Sequence, residues 1–218
     1  MVLMLADFGG VGLSLWAWVG GEVSCKSTKG ILQYYKMAEK TASLYSRLAR
    51  LTYIHFIYML LFAVSIIIYD ASQLIAPEAV LYRWKLATTM IIVITAVWYF
   101  ARVKARPRLQ RWLIATLVFA DILFASFLVY ADRGMASLAV TLYAVPIIVS
   151  AATGSSRAIL GTASLCTAAY TLATVKYFVD YFNEGYKVQL YSTIGFYGAV
   201  FFLIAFLITI NLHTKADA

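Results

Sequence analysis

Six apolar stretches separated by short polar clusters order this chain. They run over 51–69, 86–103, 112–130, 136–152, 158–177 and 190–212. At a rise of 1.5 Å per residue, a helix needs about 20 apolar residues to cross a ~30 Å hydrocarbon core. Five stretches approach that length. The 136–152 stretch is shorter and carries Pro146, which frees a carbonyl on the preceding turn and predicts a bend. The pattern predicts an all-α, polytopic transmembrane helix bundle of six spans.

The charges between the stretches give it an orientation. With the N-terminus in the cytoplasm, that side holds Lys26, Lys29, Lys36, Lys40, Arg47, Arg50, Arg102, Lys104, Arg106, Arg108, Arg111, Arg157 and Lys215, thirteen of the 18 basic residues. The outer connections hold Arg83, Lys85, Arg133, Lys176 and Lys187 against as many acids, so their net charge is zero. The positive-inside rule therefore predicts both termini cytoplasmic. Tyrosines and tryptophans such as Tyr69, Trp98, Trp112, Tyr130 and Tyr177 mark the span ends, where amphipathic rings suit the headgroup level.

Ahead of the first span the pattern changes. Residues 1–36 form an apolar, Gly-rich extension interrupted by Asp7, read as mobile or interfacial. Residues 37–50 form a basic lead-in, with Leu44, Leu48 and Leu51 at helical spacing and Lys40, Arg47 and Arg50 between them, suited to an anionic lipid surface. Met37 is an alternative translation start. The bundle occupies 51–212, and 213–218 is a short cytoplasmic tail.

Composition agrees with lipid as solvent. The chain is 63% hydrophobic and 13% charged, whereas soluble domains are about a quarter charged. The net charge of +8 belongs to loops beside a membrane, so nucleic acid is not an expected partner. Cys25 and Cys166 are not expected to meet, and no structural disulfide is predicted.

A charge inside a span is costly unless paired, so Asp121 is the first candidate for chemistry. It lies nine residues beyond Trp112, about 14 Å into the third span and near the bilayer centre. It must face the bundle interior. There it senses a proton or ligand, or couples helix positions, or it serves as a hydrogen bond joining three helices. Tyr170, twelve residues into the fifth span, is placed to bring its hydroxyl to the same level, and Tyr143 and Thr141 of the fourth span are further candidates. Pro146 is the candidate hinge. His55, about one turn into the first span, reads as an interface residue bonded to a neighbour. The fifth span is rich in small residues from Gly161 to Ala169 and is expected at the bundle centre. Neither His55 nor His213 has metal-ligand spacing with a cysteine or acid, and no metal or cofactor is expected. No nucleotide-binding or hydrolase motif occurs, and the connections are too short for a soluble catalytic domain, so no enzymatic activity is expected.

The stretch RLQRWLIATLVFADILFASFLVYADRGMASLAVTLYAVPIIVSAATGSSRAILGTASLCTAAY, Arg108 to Tyr170, resembles the six-span membrane sensor region of bacterial sensor histidine kinases. The matching residues are Gln110, Asp121, Tyr130, Gly134, Ser137, Tyr143, Pro146, Arg157 and Tyr170. In that family the last span leads into a phosphoacceptor helix and an ATP-binding domain; here the sequence ends at NLHTKADA. The resemblance therefore implies a sensor module in the bacterial inner membrane without kinase output, with Asp121, Tyr170, Tyr143 and Pro146 as sensing or helix-coupling residues. The module is either a natural stand-alone protein or the front of a split or truncated kinase. Its implied partners are membrane lipid, a second copy of the chain, and a separate kinase or other signalling protein. A small transporter or channel component, and a membrane scaffold or assembly factor, are the alternative readings.

Overall fold

The computed structural model describes the backbone of residues 25–103, 107–182 and 188–217, and the side chains of residues 46–102, 108–182 and 188–214. Among these residues every regular element is helical. The α-helices are α1 (Cys25–Ala71), α2 (Pro77–Val103), α3 (Pro107–Ala131), α4 (Ala144–Ser150), α5 (Ser156–Phe182) and α6 (Val188–Asp217). Tighter 3-10 turns occupy Gly134–Ala136, Leu138–Tyr143 and Ala151–Thr153. The chain forms two compact units, Met1–Lys40 and Thr41–Ala218. Of the first, the opening turns of α1 are described, and residues 1–24 of the expected Gly-rich extension lie outside the described residues. The second unit is the bundle.

Among the described residues five helices are long and apolar enough to cross a membrane: Ser46–Ala71, Pro77–Arg102, Arg108–Ala131, Ser156–Phe182 and Val188–Thr214. Their ends differ from the apolar stretches in instructive ways. The second helix begins at Pro77 rather than Leu86. Proline is preorganised for the first helical position, and Glu78 in the first turn complements the helix dipole. Arg83 thereby sits on α2, ion-paired with Asp132 and lying 5.2 Å over the Tyr69 ring. α5 likewise runs on to Phe182, and its Asp180 accepts hydrogen bonds from Lys176 (2.8 Å) and the Tyr130 hydroxyl (2.8 Å). α1 ends in a Schellman motif: Gln73 takes a left-handed φ of 50°, its N–H donates to Asp70 O, and Leu74 N–H donates to Tyr69 O.

The fourth crossing is not a regular α-helix. The apolar segment Leu138–Thr153 combines two 3-10 stretches with the short α4. As α-helix it would reach about 24 Å; the larger 3-10 rise extends it to about 28 Å, close to the hydrocarbon thickness. The helix type changes from 3-10 to α at Tyr143–Ala144. Pro146 follows in the first turn of α4, where its missing N–H costs little.

The bundle centre is α3, not the small-residue α5. More than half of its span is buried, including Ile114, Leu117, Ala125, Leu128 and Val129. α5 packs beside it and against α6, turning Ile159, Ala163, Cys166, Tyr170 and Thr174 inward. α5 and α6 approach closely at Gly198, where an added Cβ would stand 3.0 Å from Thr167 Cγ2. Outward positions such as Leu60, Ile92, Leu172, Leu203 and Ile210 leave large apolar side chains exposed, as a lipid-facing surface requires. α1 meets α3 through wide aromatic contacts, Tyr58–Phe124 at 6.1 Å and Phe62–Phe124 at 5.1 Å between ring centroids.

Candidate functional site

Asp121 on α3 and His55 on α1 are both buried, with side-chain exposures of 3% and 1%. His55 Nε2 lies 3.0 Å from Asp121 Oδ2. His55 Nδ1 lies 2.7 Å from the Leu51 carbonyl, which can only accept, so Nδ1 carries a proton. Nε2 then either donates to a carboxylate or accepts from a neutral carboxyl. The pair is net neutral in both forms, and they differ only in which side holds the shared proton. Asp121 Oδ1 has no partner among the described residues.

Both groups sit deep in the bundle. His55 is nine residues from the start of its span at Ser46, about 14 Å, and Asp121 is thirteen from Arg108, about 20 Å. The sequence placed His55 near an interface because its apolar run begins at Leu51. The helix begins well before that, and the imidazole is buried against Asp121 of α3.

Tyr143 and Tyr170 form a second group, adjoining the first along α3. Ser126, five residues beyond Asp121, donates to the Ile122 carbonyl (2.7 Å), so the Tyr143 hydroxyl donates to Ser126 Oγ (2.8 Å). Cys166 Sγ lies 3.6 Å from the Tyr143 carbonyl, a weak contact from α5. The Tyr143 ring meets Tyr170 edge-on at 5.9 Å and Phe201 of α6 at 5.5 Å. Tyr170 in turn meets Tyr197 of α6 at 5.5 Å. Among the described residues the Tyr170 hydroxyl makes no well-formed hydrogen bond, and the Thr174 hydroxyl is committed to the Tyr170 carbonyl. Tyr170 was expected to share a level with Asp121; the partner Asp121 takes is His55, and Tyr170 joins the aromatic group instead. Pro146 is buried on α4, three residues past Tyr143.

Sequence reasoning singled out Asp121, Tyr143, Tyr170 and Pro146, and the structure divides them between these groups. It missed the roles of Ser126, Tyr197 and Phe201, and it did not pair His55 with Asp121. A histidine in one apolar run and an acid in another was the available signal. Gln110, fully buried near the start of α3, has neither amide atom partnered among the described residues. Among those residues no three His, Cys, Asp or Glu side chains cluster as metal ligands. His213 is exposed on α6, with Nδ1 bonded to the Thr209 carbonyl at 2.8 Å. Chemically, the His55–Asp121 pair can shift a proton within one hydrogen bond and fix α1 against α3; the aromatic group ties α3, α4, α5 and α6 together.

No curated protein and no solved structure matches the chain. The family described as a PilS-like transmembrane domain, a six-span membrane region, matches residues 36–214, which include all five long spans and the short fourth. This multi-pass membrane protein belongs to the PilS-like transmembrane domain family.

Proposed function

We propose that the protein is a non-catalytic signal-sensing module of the bacterial inner membrane, with both termini in the cytoplasm. A lipid-soluble or membrane-borne signal changes the packing around Asp121, and α6 passes that change to a separate kinase or other signalling protein. The observation that supports this reading is a set of side-chain contacts that links the first span to the last by way of α3. His55 holds Asp121 on α3; Ser126 on the same helix holds Tyr143; Tyr143 and Tyr170 press on Phe201 and Tyr197 of α6.

The energies suit a graded switch. Interhelical hydrogen bonds in membranes are worth about 0.6–2 kcal/mol, and aromatic pairs about 0.5–1.5 kcal/mol. Inverting a 1:99 equilibrium takes about 5.5 kcal/mol. One lost contact therefore shifts a population about tenfold, and a full inversion needs several contacts to change together.

Transcript profiles of the native host test the reading. Strains carrying the wild-type gene, a deletion and Asp121→Asn are compared at matched membrane abundance. The sensing reading expects Asp121→Asn to displace the same transcripts as the deletion, in either direction. A deletion phenotype with an Asp121→Asn profile identical to wild type sinks the role of Asp121. Solute flux into proteoliposomes, abolished by the same substitution, would favour the transporter reading instead.

A further inference from the structure

On the lipid-facing side of the bundle, α3, the α4 segment and α5 leave an open groove of about 630 Å³, walled almost entirely by apolar atoms. Thr116 and Phe119 of α3, Ser150, and Gly161 and Leu165 of α5 are among the residues that line it. Along α3 the lining runs from Trp112 to Ile122, about 15 Å at helical rise, or one leaflet of the hydrocarbon core. The volume lies within the ~300–1,000 Å³ of small-molecule clefts. A shallow depression of about 300 Å³ on the surface of α3 adjoins it, sharing Trp112 and Ala115 and bordered by Arg108 and Arg111. Both arginines are exposed, and neither is ion-paired with a carboxylate among the described residues.

A leaflet-deep apolar trough with two unneutralised guanidinium groups at its mouth matches one kind of molecule. We infer that this groove is a binding site for an anionic glycerophospholipid of the adjoining leaflet. An acyl chain lies along Thr116, Phe119 and Gly161, and the phosphate sits on Arg108 and Arg111, whose planar forks suit phosphate oxygens. Trp112 stands at the boundary between the two parts, where an indole is favoured. Gly161 leaves the trough open: a Cβ built there meets nothing within 4 Å, so a larger side chain would occupy the trough without disturbing helix packing.

Native mass spectrometry of the full chain, released from nanodiscs holding equal phosphatidylglycerol and phosphatidylcholine, tests the assignment. The wild type should retain one phosphatidylglycerol in preference to phosphatidylcholine. Arg108→Gln with Arg111→Gln should reduce that preference about thirtyfold. Gly161→Leu should lower retention of both lipids, and Thr116→Trp, filling the trough from α3, should do the same. Equal retention of the two lipids by the wild type overturns the assignment. So does an arginine double variant with undiminished preference. Undiminished retention in both trough-filling variants would leave only charge-attracted surface lipid and overturns it equally.

Discussion

The Asp121 side chain meets the His55 imidazole at 3.0 Å across 66 residues of chain, between α3 and α1. The Leu51 carbonyl fixes the proton on the far ring nitrogen, so the contact is a single hydrogen bond holding a single shared proton. Asparagine and leucine at position 121 therefore ask different questions. The amide of an introduced asparagine can still donate to Nε2 but has no proton to exchange. Leucine removes the bond and leaves a buried nitrogen unpaired. Asp121→Leu should destabilise the purified protein by about 1–3 kcal/mol, while Asp121→Asn costs a fraction of that. Unfolding in mixed micelles, followed by circular dichroism, measures both. Equal losses would show that charge, rather than the hydrogen bond, holds α1.

The Tyr143–Ser126 contact is a neutral hydroxyl pair with a defined direction. Tyr143→Phe and Ser126→Ala should each cost about 0.5–1.5 kcal/mol. In the double variant the losses should combine less than additively, because both remove one bond. Additive losses in a double-mutant cycle would mean the two hydroxyls act independently.

Gly134 has a φ of +60°, and an added Cβ would lie 2.7 Å from Tyr177 Cδ1. Two penalties fall on one position: a left-handed backbone and a collision with the α5 ring. Gly134→Ala should lower stability by roughly 1–3 kcal/mol. Thermal unfolding compared with Gly154→Ala separates the two. Gly154 shares a positive φ of 68° but meets no atom within 4 Å, so it should lose less.

The two glycines of α6 should respond in opposite directions. A Cβ at Gly195 meets nothing within 4 Å, whereas one at Gly198 stands 3.0 Å from Thr167 Cγ2. Gly195→Ala should stabilise by about 0.5–1 kcal/mol through helix propensity alone. Gly198→Leu should force α6 away from α5 and destabilise. The same unfolding assay reads both signs.

The helical class and the apolar core of each span are legible in the sequence because lipid allows little else: an apolar run of span length must be a helix. Helix ends are less legible, because capping and ion pairing act beyond the apolar residues. Arg83 and Asp180 look like loop charges until α2 and α5 extend to include them. The short run at 136–152 showed a crossing too brief for α-helix; that 3-10 geometry lengthens it is a backbone property with no signature in composition. Asp121 stands out because a lone acid in an apolar run is conspicuous. Its partner does not, since which of several helices faces α3 is decided by packing among side chains that are nearly interchangeable as letters. The expectation that α5 is central fails for the same reason: its small residues permit close approach, but α3, with neighbours on more sides, is the helix the bundle surrounds.

Electron-electron resonance distances between spin labels on α2 and α6 test the proposed coupling most directly. Tyr99→Cys and Ile210→Cys, both exposed, carry the labels in a background with Cys25→Ser and the buried Cys166→Ser. Neither label lies on α1 or α3, the helices that carry the His55–Asp121 pair. If packing at that pair is relayed through Tyr143 to Phe201, Asp121→Leu should move the Tyr99–Ile210 distance by about 1–2 Å or add a second population. A distance distribution identical to that of the parent protein, with the bundle still folded, would contradict the coupling of Asp121 to the last helix.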